Sequence, residues 1–162
     1  MTQIEVRRAA LDDWQAYRDV RLAMLAESPW AFGATHADAL AIDDDGWRER
    51  VTSADYWIAW HGEEPVGSVC LSDRFGDSPA EANVFGMWVA PGVRGRSVGA
   101  HLVAAAVGRA RELGKQRVVL HVVENNPTAR RLYERMGFVA TGRTEPYPHD
   151  ATVLELEMEH VL

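Results

Sequence analysis

Asn83-Val84-Phe85-Gly86-Met87-Trp88-Val89-Ala90-Pro91-Gly92-Val93-Arg94-Gly95-Arg96-Ser97-Val98-Gly99-Ala100-His101-Leu102 runs from an apolar strand, through a Pro/Gly turn and a basic glycine-bearing loop, into a helical pattern. A strand that feeds such a loop at a helix start is a phosphate-binding device. The loop and the first helical turn present backbone N–H groups without partners, and the helix dipole adds positive potential there. Arg94 and Arg96 place fixed positive charge where a polyphosphate would sit.

The 162 residues suggest one domain with enough core to fold alone. An apolar fraction of 47% and a charged fraction of 25% are those of a soluble globular protein. With 17 Lys+Arg against 24 Asp+Glu the net charge is −7. That argues against nucleic-acid binding, which needs a basic surface. It is compatible with a cationic partner or with simple solubility. Cys70 is the single cysteine, so an intrachain disulfide is excluded, and it lies in an apolar run as a small hydrophobe. No cysteine cluster suggests a metal. The residues from Met1 to Glu5 lack the basic and apolar segments of a signal peptide, and no apolar run approaches ~20 residues. The expected location is cytoplasmic, with no membrane partner.

Around the loop the chain alternates between the two periods. Ile4 and Val6 open a strand. Leu11 to Glu27 is helical, with Trp14, Tyr17, Arg21, Leu22 and Leu25 recurring at three- and four-residue steps. A second helix is expected over His36 to Val51, irregular around Asp43-Asp44-Asp45-Gly46. The helical region 11–51 is a candidate substrate lid. Tyr56 to Trp60 and Val66 to Leu71 read as a hairpin, and Asp73 to Ala80 as a loop. Asn83 to Val89, almost wholly apolar, reads as a central strand. Val98 to Leu113 is the helix after the loop, with Val98, Leu102, Ala106, Ala110 and Leu113 as its buried stripe. Val118 to Val123 is a strand parallel to the fourth. Asn126 caps a short helix opened by Pro127 and stopped by Gly137. Phe138 to Arg143 and the alternating Leu154 to Glu159 close the chain around the loop from Pro146 to Asp150. The order β-αα-βββ-α-β-α-ββ makes one mixed α/β domain over residues 1–162.

Two motifs stand in fixed order: Val89-Ala90-Pro91 with Arg94-Gly95-Arg96-Ser97-Val98-Gly99-Ala100, then Asn126-Pro127-Thr128-Ala129-Arg130-Arg131-Leu132-Tyr133-Glu134-Arg135-Met136-Gly137-Phe138. Together they resemble the GNAT superfamily of acetyl-CoA-dependent N-acetyltransferases, as does the element order. The resemblance implies an acyl-CoA N-acyltransferase fold with splayed central parallel strands and an acetyl-CoA core over residues 83–137. It implies that acetyl-CoA is the co-substrate and no metal takes part. It places the pantetheine arm on the backbone of Met87, Trp88 and Val89, and the pyrophosphate on N–H groups from Arg94 through Gly95, Arg96, Ser97, Val98 and Gly99 to Ala100. Asn126 would contact the arm and Tyr133 would stand near the sulfur. Ser97 falls where the family signature has a glycine. A positive φ there would cost roughly a kcal/mol or more.

Acetyl transfer to an amine requires a neutral nucleophile, a stabilised carbonyl oxygen and a protonated leaving thiolate. A lysine-like amine has pKa ~10.4, a thiol ~8.5 and a tyrosine ~10. Tyr133 is therefore a candidate general acid, and backbone N–H groups near Val89 could hold the oxygen. The same spacing suits a core tyrosine, since Ala129, Leu132, Tyr133 and Met136 share one helical face. The base is less defined. Many relatives carry a glutamate at the place of Asn83, which cannot accept a proton. Glu81, two residues earlier on the same strand face, is the first candidate. His121 is the second, because histidine titrates near neutrality. Glu124 and a water held by Asn83 are further options. The acceptor is expected to be a small cationic amine or a peptide amine, on the strength of the net charge and the run Asp43-Asp44-Asp45. The closing strand and the loop 146–150 could support a homodimer. The alternative function is an acyl-CoA-binding sensor or interaction module without turnover. A dinucleotide oxidoreductase is a third reading that ranks far below, since no strand opens the chain onto a GxGxxG turn.

Overall fold

The computed structural model describes residues 3–73 and 78–162. Residues 74–77, half of the loop expected over 73–80, lie outside the described residues. Seven strands form one sheet in the order β1-β2-β3-β4-β5-β7-β6. They are β1 (Ile4–Arg8), β2 (Asp55–His61), β3 (Glu64–Ser72), β4 (Glu81–Val89), β5 (Arg117–Val123), β6 (Val139–Tyr147) and β7 (Asp150–Val161). Every neighbouring pair is antiparallel except β4–β5. The helices are α1 (Trp14–Glu27), α2 (His36–Leu40), α3 (Asp44–Val51), α4 (Val98–Glu112) and α5 (Pro127–Arg135). The observed order matches the expected mixed α/β architecture.

Each face of the sheet carries its own core. Val98, Leu102, Val103, Ala106 and Ala110 of α4 pack with Ala82 and Val84 of β4 and with Val118, Leu120 and Val122 of β5. Tyr17, Val20, Met24 and Leu25 of α1 pack with Trp47 and Val51 of α3 and with Ile58 and Cys70 of the sheet. β4 and β5 read as continuous apolar runs because both of their faces are covered over much of their length. Cys70 is buried, and burial pushes its thiol up to about 12, so it is an unreactive core residue.

Three expectations are corrected. The helix expected over 36–51 is two helices, because Asp43 is extended (φ −79°, ψ 174°) and caps α3 by accepting from the Gly46 N–H at 2.8 Å. Leu113 is 42% exposed and lies outside the buried stripe of α4. Strand β6 runs on to Tyr147, so the expected loop 146–150 shrinks to a tight turn.

At Gly67 of β3 the neighbouring strand approaches closely. A Cβ there would lie 2.8 Å from the Trp88 carbonyl oxygen and 3.4 Å from Leu102. Gly67→Ala must push β3 from β4, a backbone shift of the overpacking kind that costs about 1–3 kcal/mol. Thermal unfolding should show Tm lower by about 3–10 °C.

Candidate active site

Strands β4 and β5 pair only at Glu81–Arg117, Ala82–Val118 and Asn83–Val119. Beyond that they part, and a cleft of about 1030 Å³ opens between them. Its size suits a coenzyme arm together with an acceptor. A bulge helps to part the strands: the β3–β4 register slips between Ser68 and Cys70, and Gly86 sits at φ 60°. The bulge holds because the Ser68 hydroxyl donates to the Gly86 carbonyl at 3.1 Å.

The backbone at the head of the cleft divides its hydrogen bonds unequally. The Ala90 N–H donates to Val66 at 2.8 Å, and Val89 is paired with Gly67. Alternation then directs the N–H and C=O of Val89 away from β3 into the cleft, and those of Trp88 toward Ser68. Val89 can thus hold a ligand through its backbone. Trp88, expected to do the same, spends its backbone groups on β3.

Helix α4 begins at the cleft without a side-chain cap. Its N-cap residue, Ser97, has φ 62° and ψ 18° and is the single non-glycine with positive φ among the described residues. The strain foreseen for a serine at this position is therefore present. The N–H groups of the first turn have neither an intrahelical acceptor nor a capping side chain. Gly95 (φ 80°) leaves open space where a Cβ would point. Gly95, Ser97, Val98, Gly99 and Ala100 all line the cleft. This donor set fits the diphosphate of a coenzyme A molecule.

The two loop arginines separate. Arg96 is exposed and lies outside the lining. Arg94 lines the cleft, but its Nε donates to the Val89 carbonyl at 2.9 Å and its Nη2 to Glu27 at 3.0 and 3.1 Å. Glu27 also accepts from Trp88 Nε1 at 2.9 Å and from the Ser28 hydroxyl. Burial pushes the Glu27 carboxyl up, but the hydrogen bonds from Ser28, Trp88 and Arg94 outweigh it and hold it below the ordinary range.

Tyr133 of α5 lines the cleft and is 7% exposed. Burial pushes its hydroxyl pKa well above the ordinary tyrosine value, with no hydrogen bond contributing. Asn126 also lines the cleft and caps α5, its Oδ1 accepting from Ala129 N at 3.3 Å. Its amide N–H groups are directed elsewhere, so capping and ligand contact are compatible. Asn83 and His121 belong to the lining too. His121 Nε2 lies 3.7 Å from the Glu157 carboxylate.

The structure does not bring every candidate to the cleft. Glu81 is 4% exposed, lies outside the lining, and its carboxylate takes the Arg117 Nε–H at 2.7 Å. It does share a sheet face with Asn83, but the register sets Arg117 directly against it. Glu124 accepts from Leu154 N at 3.1 Å, away from the cleft. The acidic run belongs to the start of α3: Asp43 is its cap, Asp45 pairs with Arg48 at 2.9 Å, and none of the three lines the cleft. The acidic run therefore gives no support to a cationic acceptor, and of that argument only the net charge of −7 remains. Four charged lining residues escaped the sequence reading: Arg21, Glu27, Arg135 and Glu155. Arg21 was visible only as a charge on the buried stripe of α1, and Glu155 as one of three alternating glutamates.

A mixed sheet split at its parallel pair, with an uncapped helix start and a buried tyrosine on one cleft, defines an acyl-CoA-binding transferase frame. The Acetyltransferase (GNAT) family model matches residues 18–138, and the chain belongs to that family. It is 34% identical to a mycothiol acetyltransferase of Corynebacterium aurimucosum over 63% of this chain and 30% of that protein. It is 33% identical to the peptidyl-lysine N-acetyltransferase YjaB of Escherichia coli over 62% of this chain and 65% of that one. The structure of YncA from Salmonella typhimurium with acetyl-CoA superposes with a TM-score of 0.75 at 17% identity, over 99% of this chain and 95% of that one. The chain spans between 30% and 53% of the length of the mycothiol acetyltransferases it matches. Among the described residues no helix is long and apolar enough to cross a membrane.

Replacing Ser97 by glycine removes the left-handed strain but loosens the unfolded chain. The net gain should be about 0.5–1 kcal/mol. Ser97→Val should destabilise by about 1–3 kcal/mol, because a β-branched residue tolerates positive φ poorly. Denaturant unfolding of both variants checks the two signs.

Proposed function

We propose that this chain transfers an acetyl group from acetyl-CoA to a primary amine. The observation that carries the reading is the convergence of the uncapped α4 start, Asn126 and the Tyr133 hydroxyl on one cleft. The peptidyl-lysine acetyltransferase among the relatives supports an amine acceptor. Acetyl-CoA, when bound, supplies an acyl group activated as a thioester. The N–H groups of the α4 first turn hold the diphosphate end, and Asn126 steadies the arm. The Val89 N–H, aimed into the cleft, donates to the acyl oxygen as it gains charge.

Tyr133 Oη keeps its proton through the neutral range, because burial disfavours the phenolate. It donates that proton to the departing sulfur, whose own proton affinity rises in the same buried surroundings. His121 Nε2 takes the proton of the attacking amine. It replaces Glu81 in that role because Glu81 is held by Arg117 outside the lining. A second reading, coenzyme binding without turnover, draws on Asn83 standing where relatives often hold a glutamate. Coenzyme A release from acetyl-CoA over a panel of amines separates the readings: binding without thiol release on any amine would establish the second.

Tyr133→Phe should lower kcat by about 100-fold or more with the KM for acetyl-CoA within about 3-fold. An intact kcat above and below neutral pH would remove the general-acid role. Glu81→Gln should leave the pH–rate profile unchanged while lowering stability by about 1–3 kcal/mol, since it weakens a buried charge-assisted pair. A profile whose acid limb shifts would return Glu81 to the chemistry.

A further inference from the structure

Besides His121, five charged residues line the cleft: Arg21 and Glu27 from α1, Arg94 from the loop before α4, Arg135 from the end of α5 and Glu155 from β7. Glu27 and Arg94 satisfy each other. Arg21 and Glu155 do not: neither makes a hydrogen bond or ion pair with another of the described residues. Arg21 is a charge on the stripe of α1 that carries Tyr17, Val20, Met24 and Leu25, all buried. Its guanidinium is directed at the β4 bulge, with Nη1 3.1 Å from where a Cβ on Gly86 would lie. A partly buried guanidinium with five donors and no acceptor is costly unless something binds it.

Glu155 stands on β7 opposite Val123, next to the pair formed by His121 and Glu157. Antiparallel alternation puts Glu155 and His121 on one face of the sheet, the face that α1 also covers. Burial raises the Glu155 carboxyl above its ordinary range, and His121 pulls against that rise while Glu145 adds to it. The α1 side of the cleft thus presents an unpaired cation on one wall and an unpaired carboxylate beside a histidine on the other. The wall between includes Phe85 and, from the segment after α1, Trp30 and Phe32.

Resting on the acetyltransferase reading, we infer that Arg21 recognises a carboxylate on the acceptor, so that the substrate is an amino acid and not a plain amine. Its amino group lies toward His121 and Glu155, where an ammonium is attracted and then loses its proton. Its carboxylate takes the Arg21 guanidinium in the planar, two-bond geometry that arginine offers to carboxylates.

The test presents L-leucine, L-phenylalanine and β-alanine with acetyl-CoA, each beside its own carboxamide, and follows coenzyme A release. The quantity read is the carboxylate-to-carboxamide ratio of kcat/KM in the wild type and in Arg21→Gln, a comparison that cancels the intrinsic reactivity of each amine. For at least one pair the ratio should fall by about 10- to 100-fold in Arg21→Gln, mainly through KM, as expected for loss of a hydrogen bond to a charged group. Arg21→Lys should keep part of the preference, and it substitutes if the glutamine variant fails to fold. An unchanged ratio, or wild-type turnover confined to amides and plain amines, overturns the inference while leaving the acetyltransferase reading intact. If no amine is turned over, the acetyltransferase reading fails, and calorimetry with coenzyme A present decides the rest. An Arg21-dependent preference for leucine over leucinamide would uphold the carboxylate site, and equal binding would overturn it.

Discussion

Parallel pairing between β4 and β5 stops after Asn83–Val119, and both ends of β4 enforce the stop. At the closed end the Glu81 carboxylate is held by Arg117 of β5, whose guanidinium also reaches Glu159 of β7. Three strands are tied together there by charge-assisted bonds. At the open end the bulge at Gly86 re-aims the strand. In an unbroken sheet the cleft-side N–H and C=O of Val89 would be spent on β5. Here the carbonyl is taken by Arg94 and the N–H is left facing the cleft. Val89 is half-buried, and its N–H is open to an acceptor that enters the gap.

Glu27 ties the helical layer to the loop. It ends α1, accepts from the Trp88 indole of β4 and pairs with Arg94 at the start of the loop. The loop is thereby fixed before any ligand arrives, which lowers the ordering cost of binding. The same pair engages the Arg94 guanidinium with the end of α1 while Arg94 still lines the cleft. The proposed anion site relies on the backbone N–H groups of α4, where the strained Ser97 turns the chain. A backbone site of this kind reads charge and shape at close range, and it does not depend on a flexible cation.

The frame of this site was legible because its signals are local. β4 is an apolar run, α4 repeats at helical spacing, and Asn126-Pro127 is a capped start, so each could be placed from its own residues. The positive φ at Ser97 was readable from a glycine position occupied by serine. The pairing of Glu81 and most of the charged lining were not readable, since they depend on register across the sheet. Glu81 was assigned the correct face, but only the β4–β5 register reveals Arg117 against it. Glu155 is indistinguishable in sequence from Glu157 and Glu159, yet Glu157 is buried with Thr141 and Glu159 serves Arg117. The acidic run at 43–45 misled because helix capping and first-turn acids have a local explanation that needs no substrate.

The split sheet also bears on how an acid and a base can share one reaction. Val122 packs toward α4 and α5, where Tyr133 lies, so its neighbours His121 and Val123 turn to the α1 face. In an intact sheet these faces are separated by a continuous layer of backbone, and a group on one could not serve a group on the other. The gap beyond Asn83 removes that layer over the length of the cleft. An amine approaching from the α1 face and a sulfur departing toward α5 would then lie on opposite sides of the same acyl carbon. In the proposed reaction, proton removal by His121 and proton delivery by Tyr133 would be spatially separate and would not compete for one site. In that reading the three-residue limit on β4–β5 pairing would be as much a condition for the chemistry as for the binding.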